Sequence, residues 1–394
     1  MMEKTWRWFG PNDKITLEML RQIGVEGIVT SLHHLPAGIE WTDNDVATMK
    51  HYIESHGLRW SVVESLPVSE SIKYGGPDRD ELIDRYKRSL AALGRAGIRT
   101  ICYNFMPVLD WARTDLDHPN PDGTSNLYFN QGEFAYFDIY ILKRDNAAAD
   151  YDPLTLQRAD ELRATMTPQG EKRLVDNIIV KTQGFVGGNI SDADFDPVQK
   201  FRDLLALYDG IDQTRLRQNM HYFLSAIMDV CDQYDINMCV HPDDPPFPVL
   251  GLPRIIKNAD DITWLYNTVD NPHNGLTFCA GSLSAGSHND VPAMATQFAH
   301  RTWFVHLRSC EILPNGDFKE APHLGGRADI ISLIRTFEKI NPGLPMRVDH
   351  APIMLGDEKM GYNAGYSFHG RMLALGQVTG VMVTVQRELQ EQTL

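Results

Sequence analysis

Cysteine is scarce in this sequence, and none of its five cysteines forms a CxxC pair with another. An odd number of dispersed cysteines argues against a disulfide framework and is typical of proteins in a reducing compartment. The N-terminal run MMEKTWRWFG also lacks the basic-then-apolar layout of a signal peptide. We therefore expect a protein of the cytoplasm.

Long apolar runs, basic clusters and nucleotide-binding glycine motifs are equally absent. No apolar run approaches the ~20 residues that span a bilayer, so we expect no membrane partner. The formal net charge of −15, without a basic cluster, argues against a nucleic-acid partner. No GxGxxG run follows a strand-like segment, which argues against a nicotinamide or flavin cofactor. We expect a small-molecule substrate, and an anionic one would have to be captured by local positive charge.

Eight short apolar segments alternate with amphipathic segments of helical periodicity along the chain. This alternation predicts an α/β fold, a (β/α)8 TIM barrel that forms a single domain over residues 1–394. An open, doubly wound parallel sheet is the alternative. The predicted strands cover residues 5–10, 27–32, 58–64, 100–105, 237–241, 276–279, 302–306 and the run that starts at 345.

A long connection separates the fourth predicted strand from the fifth. Residues 110–188 are rich in Asn, Asp, Gly and Gln, and they include the turn signal PNPDG at 119–123, whereas 194–234 have a helical pattern. A structureless loop of this length would be unusual inside a compact domain. We therefore predict a long, mostly helical insertion after strand 4, with residues 108–200 as an inserted cap or subdomain. Its role, as a lid or as an oligomer interface, stays open.

Four successive strand-like segments end in side chains that commonly bind metals: His241, Cys279, His306 and Asp349. Each residue alone has an ordinary structural explanation, such as a buried thiol or a capping carboxylate. Their shared position in four consecutive units instead predicts one metal site, because the carboxyl ends of barrel strands meet at the same face. Thiolate and imidazole ligands favour Zn²⁺ or Fe²⁺, whereas a carboxylate and substrate oxygens favour Mn²⁺ or Mg²⁺.

Basic residues near these strand ends are candidates for binding an anionic substrate. Arg308 and Arg347 each lie two positions from a proposed ligand, and therefore on the same strand face. Lys73, Arg7 and Arg113 are further candidates, although a structural or surface role is the ordinary explanation for each. The predicted substrate-binding residues are Arg308, Arg347 and Lys73.

His350 and Tyr366 are the predicted proton-transfer pair. His350 directly follows a proposed ligand, and Tyr366 lies in GYNAGYS, a glycine-containing loop just past the last predicted strand. A metal and a cation nearby can lower the pKa of a tyrosine enough for it to act as a base. The alternative for Tyr366 is a packing aromatic side chain.

Several motifs resemble those of the D-mannonate dehydratase family, in its longer form. In the second half these motifs are VHPDDPPFP, FCAGSL, FVHLRS, RVDHAP and the GYS that contains Tyr366. In the first half they are RWFGPND, VTSLHHLPAGIEW, VVESLPVSESIK and CYNFMPVLDWART. The resemblance therefore covers nearly the whole chain.

The resemblance implies the removal of water from D-mannonate to give 2-keto-3-deoxy-D-gluconate in hexuronate breakdown. It implies a divalent metal, Mn²⁺ before Fe²⁺, at His241, Cys279, His306 and Asp349, with proton transfer by the pair named above. We expect a homo-oligomer, specifically a dimer, and we hypothesise that the tyrosine, assisted by the histidine, starts the reaction as a base.

Two rival functions are considered. One is a metal-dependent sugar or sugar-acid isomerase or epimerase on the same barrel, against which the cysteine ligand argues. The other is a non-catalytic sugar-acid-binding protein, which would be expected to have lost ligands or the proton-transfer pair.

Overall fold

Eight parallel strands close into a barrel in the computed structural model, which describes residues 1–184, 190 and 193–392. This arrangement confirms the predicted fold class and excludes the open sheet. The barrel order is β1-β12-β9-β8-β7-β4-β3-β2. The twelve strands described are β1 Glu3–Arg7, β2 Gly27–Thr30, β3 Arg59–Glu64, β4 Thr100–Tyr103, β5 Asp115–Pro119, β6 Ser125–Phe129, β7 Asn237–Val240, β8 Asn274–Cys279, β9 Thr302–Leu307, β10 Ser309–Ile312, β11 Phe318–Ala321 and β12 Pro345–Val348.

Helices follow most barrel strands, and none in the described ranges is both long enough and apolar enough to cross a bilayer. The α-helices are α1 Leu17–Gln22, α2 Asp43–Ser55, α3 Glu70–Tyr74, α4 Arg79–Arg95, α5 Gln131–Tyr136, α6 Pro153–Thr165, α7 Pro168–Val175, α8 Thr182–Gly184, α9 Pro197–Ala206, α10 Gln213–Tyr234, α11 Ala259–Thr268, α12 Ala280–Ser284, α13 Val291–Phe298, α14 Ile330–Ile340 and α15 Phe368–Glu391.

Local sequence explains where these helices begin and end. The Thr42 side chain accepts from the backbone N–H of Asp45, whose carboxylate accepts from Thr42 in return, so a capping box starts α2. The last helix is the longest one described. It continues because Val378, Met382 and Val385 recur at helical spacing and are buried.

The insertion after β4 is mostly helical, as predicted, but it also contains a hairpin that the sequence did not reveal. Strands β5 and β6 flank the predicted PNPDG turn and pair with β10 and β11 in a second, antiparallel sheet of order β10-β11-β6-β5. β5 was not predicted because it contains polar residues such as Asp115, Asp117 and His118. Residues 185–189 and 191–192 of the predicted cap lie outside the described residues.

A small apolar layer fills the barrel just below the strand ends. It consists of Val29, Val62, Cys102 and Phe304, from β2, β3, β4 and β9, all essentially inaccessible to solvent. Because side chains alternate along a strand, Val62 and Phe304 lie one step beneath Glu64 and His306 on the same face. The polar side chains at the strand ends therefore pack on an apolar layer that is inaccessible to solvent.

Candidate active site

Three of the four predicted metal ligands lie together at the carboxyl ends of neighbouring strands. His241 follows β7, Cys279 ends β8 and His306 lies in β9. One possible ligand atom from each of the three lies within 4.8 Å of the others. The β8–β9 register pairs Cys279 directly with His306, so backbone hydrogen bonds place the thiol beside the imidazole.

Asp349 lies beside this cluster, directly after β12. Its Oδ2 is 3.8 Å from His306 Nδ1 and 4.0 Å from Cys279 Sγ. Arg347 binds one carboxylate oxygen and Arg308 lies 3.0 Å from the other. Burial would raise the pKa of Asp349, but these arginines hold it well below its usual range. The carboxylate is therefore ionised, as a metal ligand must be.

The donor chemistry of the cluster fits a divalent metal. His306 Nε2 is buried and makes no hydrogen bond to any residue that the structure describes. His241 Nδ1 donates to the Pro242 carbonyl at 2.7 Å, which orients the ring and leaves Nε2 for a metal. Burial opposes ionisation of Cys279, yet Arg308 and His241 hold its pKa well below the ordinary value. A thiolate is the form of cysteine that binds metals.

The ionised thiol in turn affects His241. Burial alone would lower the pKa of this imidazole, but the charge on Cys279 raises it to about 9. Without a metal, His241 and Cys279 therefore form an ion pair at neutral pH. A bound metal would take the place of that proton.

His350 and Tyr366 line the same pocket as His241 and Asp349, with ring centroids 5.1 Å apart in an edge-on arrangement. His350 Nδ1 lies 2.8 Å from Arg308 Nη1, a donor, and 3.2 Å from Glu320 Oε1, an acceptor. Burial raises the pKa of Tyr366, which Arg347 only partly opposes. Without a metal, desolvation therefore exceeds the effect of the cation on this tyrosine, and the lowering of its pKa beside a bound metal stays a prediction.

The predicted substrate-binding cations do not all reach this pocket. Arg308 and Arg347 line it, but the residues that line it do not include Lys73. Lys73 Nζ is buried, where it pairs with Glu70 at 2.8 Å and donates to the Met106 carbonyl at 2.9 Å. Lys73 thus links α3 to the segment after β4.

Comparison with known proteins agrees with the motifs. A family model described as D-mannonate dehydratase (UxuA) matches residues 2–392. The chain belongs to the D-mannonate dehydratase family. It is 41% identical to mannonate dehydratase 2 of Agrobacterium fabrum over 400 residues, which cover 99% of both chains. It is 42% identical to the mannonate dehydratase of Saccharophagus degradans over 393 residues, 97% of each chain.

The crystal structure of mannonate dehydratase from Streptococcus suis serotype 2 resembles this D-mannonate dehydratase family member over almost its whole length. The TM-score is 0.78 at 30% sequence identity, with 99% of this chain and 96% of that chain covered. The similarity therefore extends over the whole chain and is not limited to the barrel.

Four buried charges behind the pocket of this family member were not predicted as a group. Arg113, after β4, binds Asp244 through both terminal nitrogens at 2.7 and 3.3 Å, and binds Glu320 of β11 at 2.8 Å. Arg308 binds Asp244 at 2.7 Å and lies 3.4 Å from Glu320. Two arginines and two carboxylates thus form a closed, buried network. It ties the second sheet to the barrel and reaches His350 through Glu320.

Glu64 is a further site residue that sequence analysis missed. It ends β3, lines the pocket, and its Oε1 lies 3.5 Å from His306 Nε2. The available signal was its position at a strand end, the same signal that identified the ligands. Gly281, in FCAGSL, has a steric role, since a Cβ there would lie 1.7 Å from Arg308 Nε. Only glycine allows Arg308 to cross α12 at this point.

Proposed function

We propose that this chain is a metal-dependent hydro-lyase that converts D-mannonate to 2-keto-3-deoxy-D-gluconate and water in hexuronate breakdown. The observation that carries the proposal is the convergence of His241, Cys279 and His306 with His350 and Tyr366 at one end of the barrel in a chain of this family. Loss of ligands or of the proton-transfer pair, expected for a non-catalytic binding protein, has not occurred.

The residues that would hold the metal are His241, Cys279, His306 and Asp349. Mn²⁺ is the proposed ion and Fe²⁺ the alternative, because the set mixes a carboxylate with softer thiolate and imidazole donors. When bound, such an ion supplies Lewis-acid stabilisation for the negative charge that develops beside the substrate carboxylate.

His350 is the proposed base that removes the proton from carbon 2. Its Nδ1 is engaged by Arg308 and Glu320, so Nε2 is the nitrogen available to substrate. Nε2 accepts a proton only when Nδ1 carries the ring hydrogen, and Glu320 is the group that can accept a hydrogen bond from Nδ1–H. The Arg308 contact at 2.8 Å favours the opposite tautomer. The basic form of His350 would therefore be produced when Nδ1 gives up its contact with Arg308 and donates a hydrogen bond to Glu320 instead.

Tyr366 is the proposed acid that protonates the hydroxyl leaving from carbon 3. Burial raises its pKa, so at neutral pH the phenol keeps the proton that this step consumes. This assignment reverses the hypothesis drawn from the sequence, in which Tyr366 acted as the base. The enol that remains becomes the 2-keto product without further assistance from the protein.

Arg308 and Arg347 line the pocket and are proposed to contact substrate. Residues 108–200 form the proposed cap, which contributes Trp111 to the pocket lining. A homodimer and a cytoplasmic location are expected, as before.

Metal depletion and rescue tests the proposal. The protein is stripped with chelator under reducing conditions, then given Mn²⁺, Fe²⁺, Mg²⁺ or Zn²⁺ with D-mannonate, and 2-keto-3-deoxy acid formation is followed. We expect activity to vanish on stripping and to return best with Mn²⁺. Full activity in the stripped protein would exclude the metal site, and an isomer or epimer as product would exclude dehydration.

A Tyr366→Phe variant tests the proton-transfer assignment separately. General acid catalysis contributes roughly 10²- to 10⁴-fold, so we expect kcat to fall by at least about 10²-fold with KM little changed. Near-normal turnover would remove Tyr366 from the mechanism.

A further inference from the structure

We infer that Arg7 binds the carboxylate of the substrate and thereby makes the pocket selective for sugar acids over neutral sugars. This inference deepens the proposed function and rests on it. Arg7 is the last residue of β1, so the strand-end position that supplies the ligands also delivers this guanidinium. Its side chain is about 95% buried and lines the same pocket as His241 and Asp349.

Arg7 has donor capacity that the protein does not use. Its Nη1 pairs with Glu64 Oε2 at 3.1 Å, while its Nε is buried and has no hydrogen-bond partner among the described residues. A buried donor without a partner is destabilising, and more so when the group is charged. A planar guanidinium with free donors is well suited to a carboxylate, which can accept two hydrogen bonds from it.

The other two arginines that line the pocket are engaged by more protein groups than Arg7 is. Arg347 donates to Glu64 from Nε and Nη2, at 3.1 and 3.0 Å, and binds Asp349 through Nη1. Arg308 uses Nη1 on His350 and Nη2 on Asp244, while its Nε lies 3.4 Å from Glu320 without a hydrogen bond. Each of them pairs with two or more carboxylates of the protein, whereas Arg7 pairs with Glu64 alone among the described residues.

Glu64 does not prevent this role. Its carboxylate receives two hydrogen bonds from Arg347, so it stays neutralised when Arg7 turns its donors towards a ligand. The same ion pairs hold Glu64 3.5 Å from His306 Nε2, which places Arg7 on the border of the ligand cluster. One carboxylate could therefore meet Arg7 and the metal-binding end of the pocket together.

The test compares a charged and a neutral ligand on metal-loaded protein. D-mannonate and D-mannonamide differ only in whether carbon 1 carries a carboxylate or an amide. Affinities are measured by calorimetry in a His350→Gln background, which prevents turnover of D-mannonate. Arg7→Met and Arg7→Lys are added to that background. Arg59→Met, at the exposed start of β3, is the matched control, because it removes an arginine from the opposite end of the barrel.

We expect Arg7→Met to weaken D-mannonate binding by roughly 10- to 100-fold, the usual effect of a lost charge-assisted contact, and to leave D-mannonamide binding unchanged. Arg7→Lys should give an intermediate loss, since lysine keeps the charge without the planar fork. Unchanged D-mannonate binding in Arg7→Met, or equal losses for both ligands, would overturn the inference.

The outcome is separable from that of the proposed function. Dehydration of D-mannonate by the unmodified enzyme is measured independently. If the enzyme does not dehydrate D-mannonate but Arg7→Met still selectively weakens its binding, the role of Arg7 stands and the proposed reaction fails. If the enzyme dehydrates D-mannonate normally but Arg7→Met binds it unchanged, the proposed reaction stands and the role of Arg7 fails.

Discussion

The pocket has a barrel side, which includes the strand-end residues Cys279 and His306, and a covering side, which includes Arg113, Asp244 and Glu320. The two sides are held by different interactions. On the barrel side, Cys279 and His306 stand opposite each other because β8 and β9 pair in register. On the covering side, Arg113, Asp244 and Glu320 come from distant parts of the chain and are joined by buried ion pairs. Backbone pairing therefore positions the first group, and charge positions the second.

This difference predicts different consequences of substitution. A strand keeps its hydrogen bonds whatever its side chains are, so a ligand can be lost from the barrel side at small cost to the fold. A buried ion network has no such support, because removing one partner leaves charges without compensation in a low-dielectric interior. Variants of the two sides should thus separate activity from stability.

Cys279→Ala should show the largest effect on activity. Losing the thiolate removes a proposed ligand, and a bound metal contributes several kcal/mol to transition-state stabilisation. We expect kcat/KM to fall by roughly 10³-fold or more and metal content to drop. The urea midpoint of the metal-free protein should change little, because His241 releases its proton when the charge on Cys279 is absent and no unpaired charge is left on the imidazole. Elemental analysis, turnover and unfolding curves measure the three quantities.

The matched control is Cys239→Ala in the neighbouring strand β7. Cys239 is just as buried, but burial raises the pKa of its thiol, and it is not part of the ligand cluster. Equal loss of metal from both variants would show that the effect of Cys279 comes from packing and not from ligation.

Arg113→Met should have the next largest effect, on stability. It leaves Asp244 and Glu320 sharing Arg308 alone, and breaking a buried ion pair typically costs 3–5 kcal/mol. Arg95→Met is the control, because the Arg95–Asp43 pair is about half exposed and surface pairs contribute about 0–1 kcal/mol. Equal changes in the free energy of unfolding would contradict the view that charge holds the covering side.

The same difference explains how far sequence analysis reached. His241, Cys279, His306 and Asp349 were found because strand periodicity carries each of them to the same end of the barrel. Nothing local in the sequence links residues 113, 244 and 320, since an ion pair between distant segments leaves no periodic signal. The hairpin β5–β6 was missed for a related reason: its pairing with β10 and β11 overrides a polar local composition.

Lys73 was predicted to bind substrate as a basic residue near the strand ends, but its position on α3 turns its ammonium towards Glu70 and the Met106 carbonyl. Arg7 was grouped with it as a weaker candidate, although Arg7 ends a barrel strand and Lys73 does not. Placement at a strand end was thus the better guide to pocket lining than charge alone.

Glu320→Gln provides the smallest and most specific comparison, through pH. Burial would raise the pKa of Glu320, but Arg308 and Arg113 lower it from 4.5 to about 2. Because the folded state holds the ionised form more strongly, this stabilisation is complete above pH 4.5 and is lost as pH falls towards 2. The shift corresponds to on the order of 3 kcal/mol, which the variant lacks at every pH.

The stability difference between the unmodified protein and Glu320→Gln should therefore be largest near neutral pH and shrink below pH 4.5, when urea unfolding is followed from pH 7 downwards. Glu311→Gln on the adjacent strand β10 is the control, since the Glu311–Lys319 pair is partly exposed and should give little difference at any pH. A constant difference for Glu320→Gln would mean that packing, and not charge, holds β11 against the barrel. The covering side would then be stabilised in the same way as the barrel side.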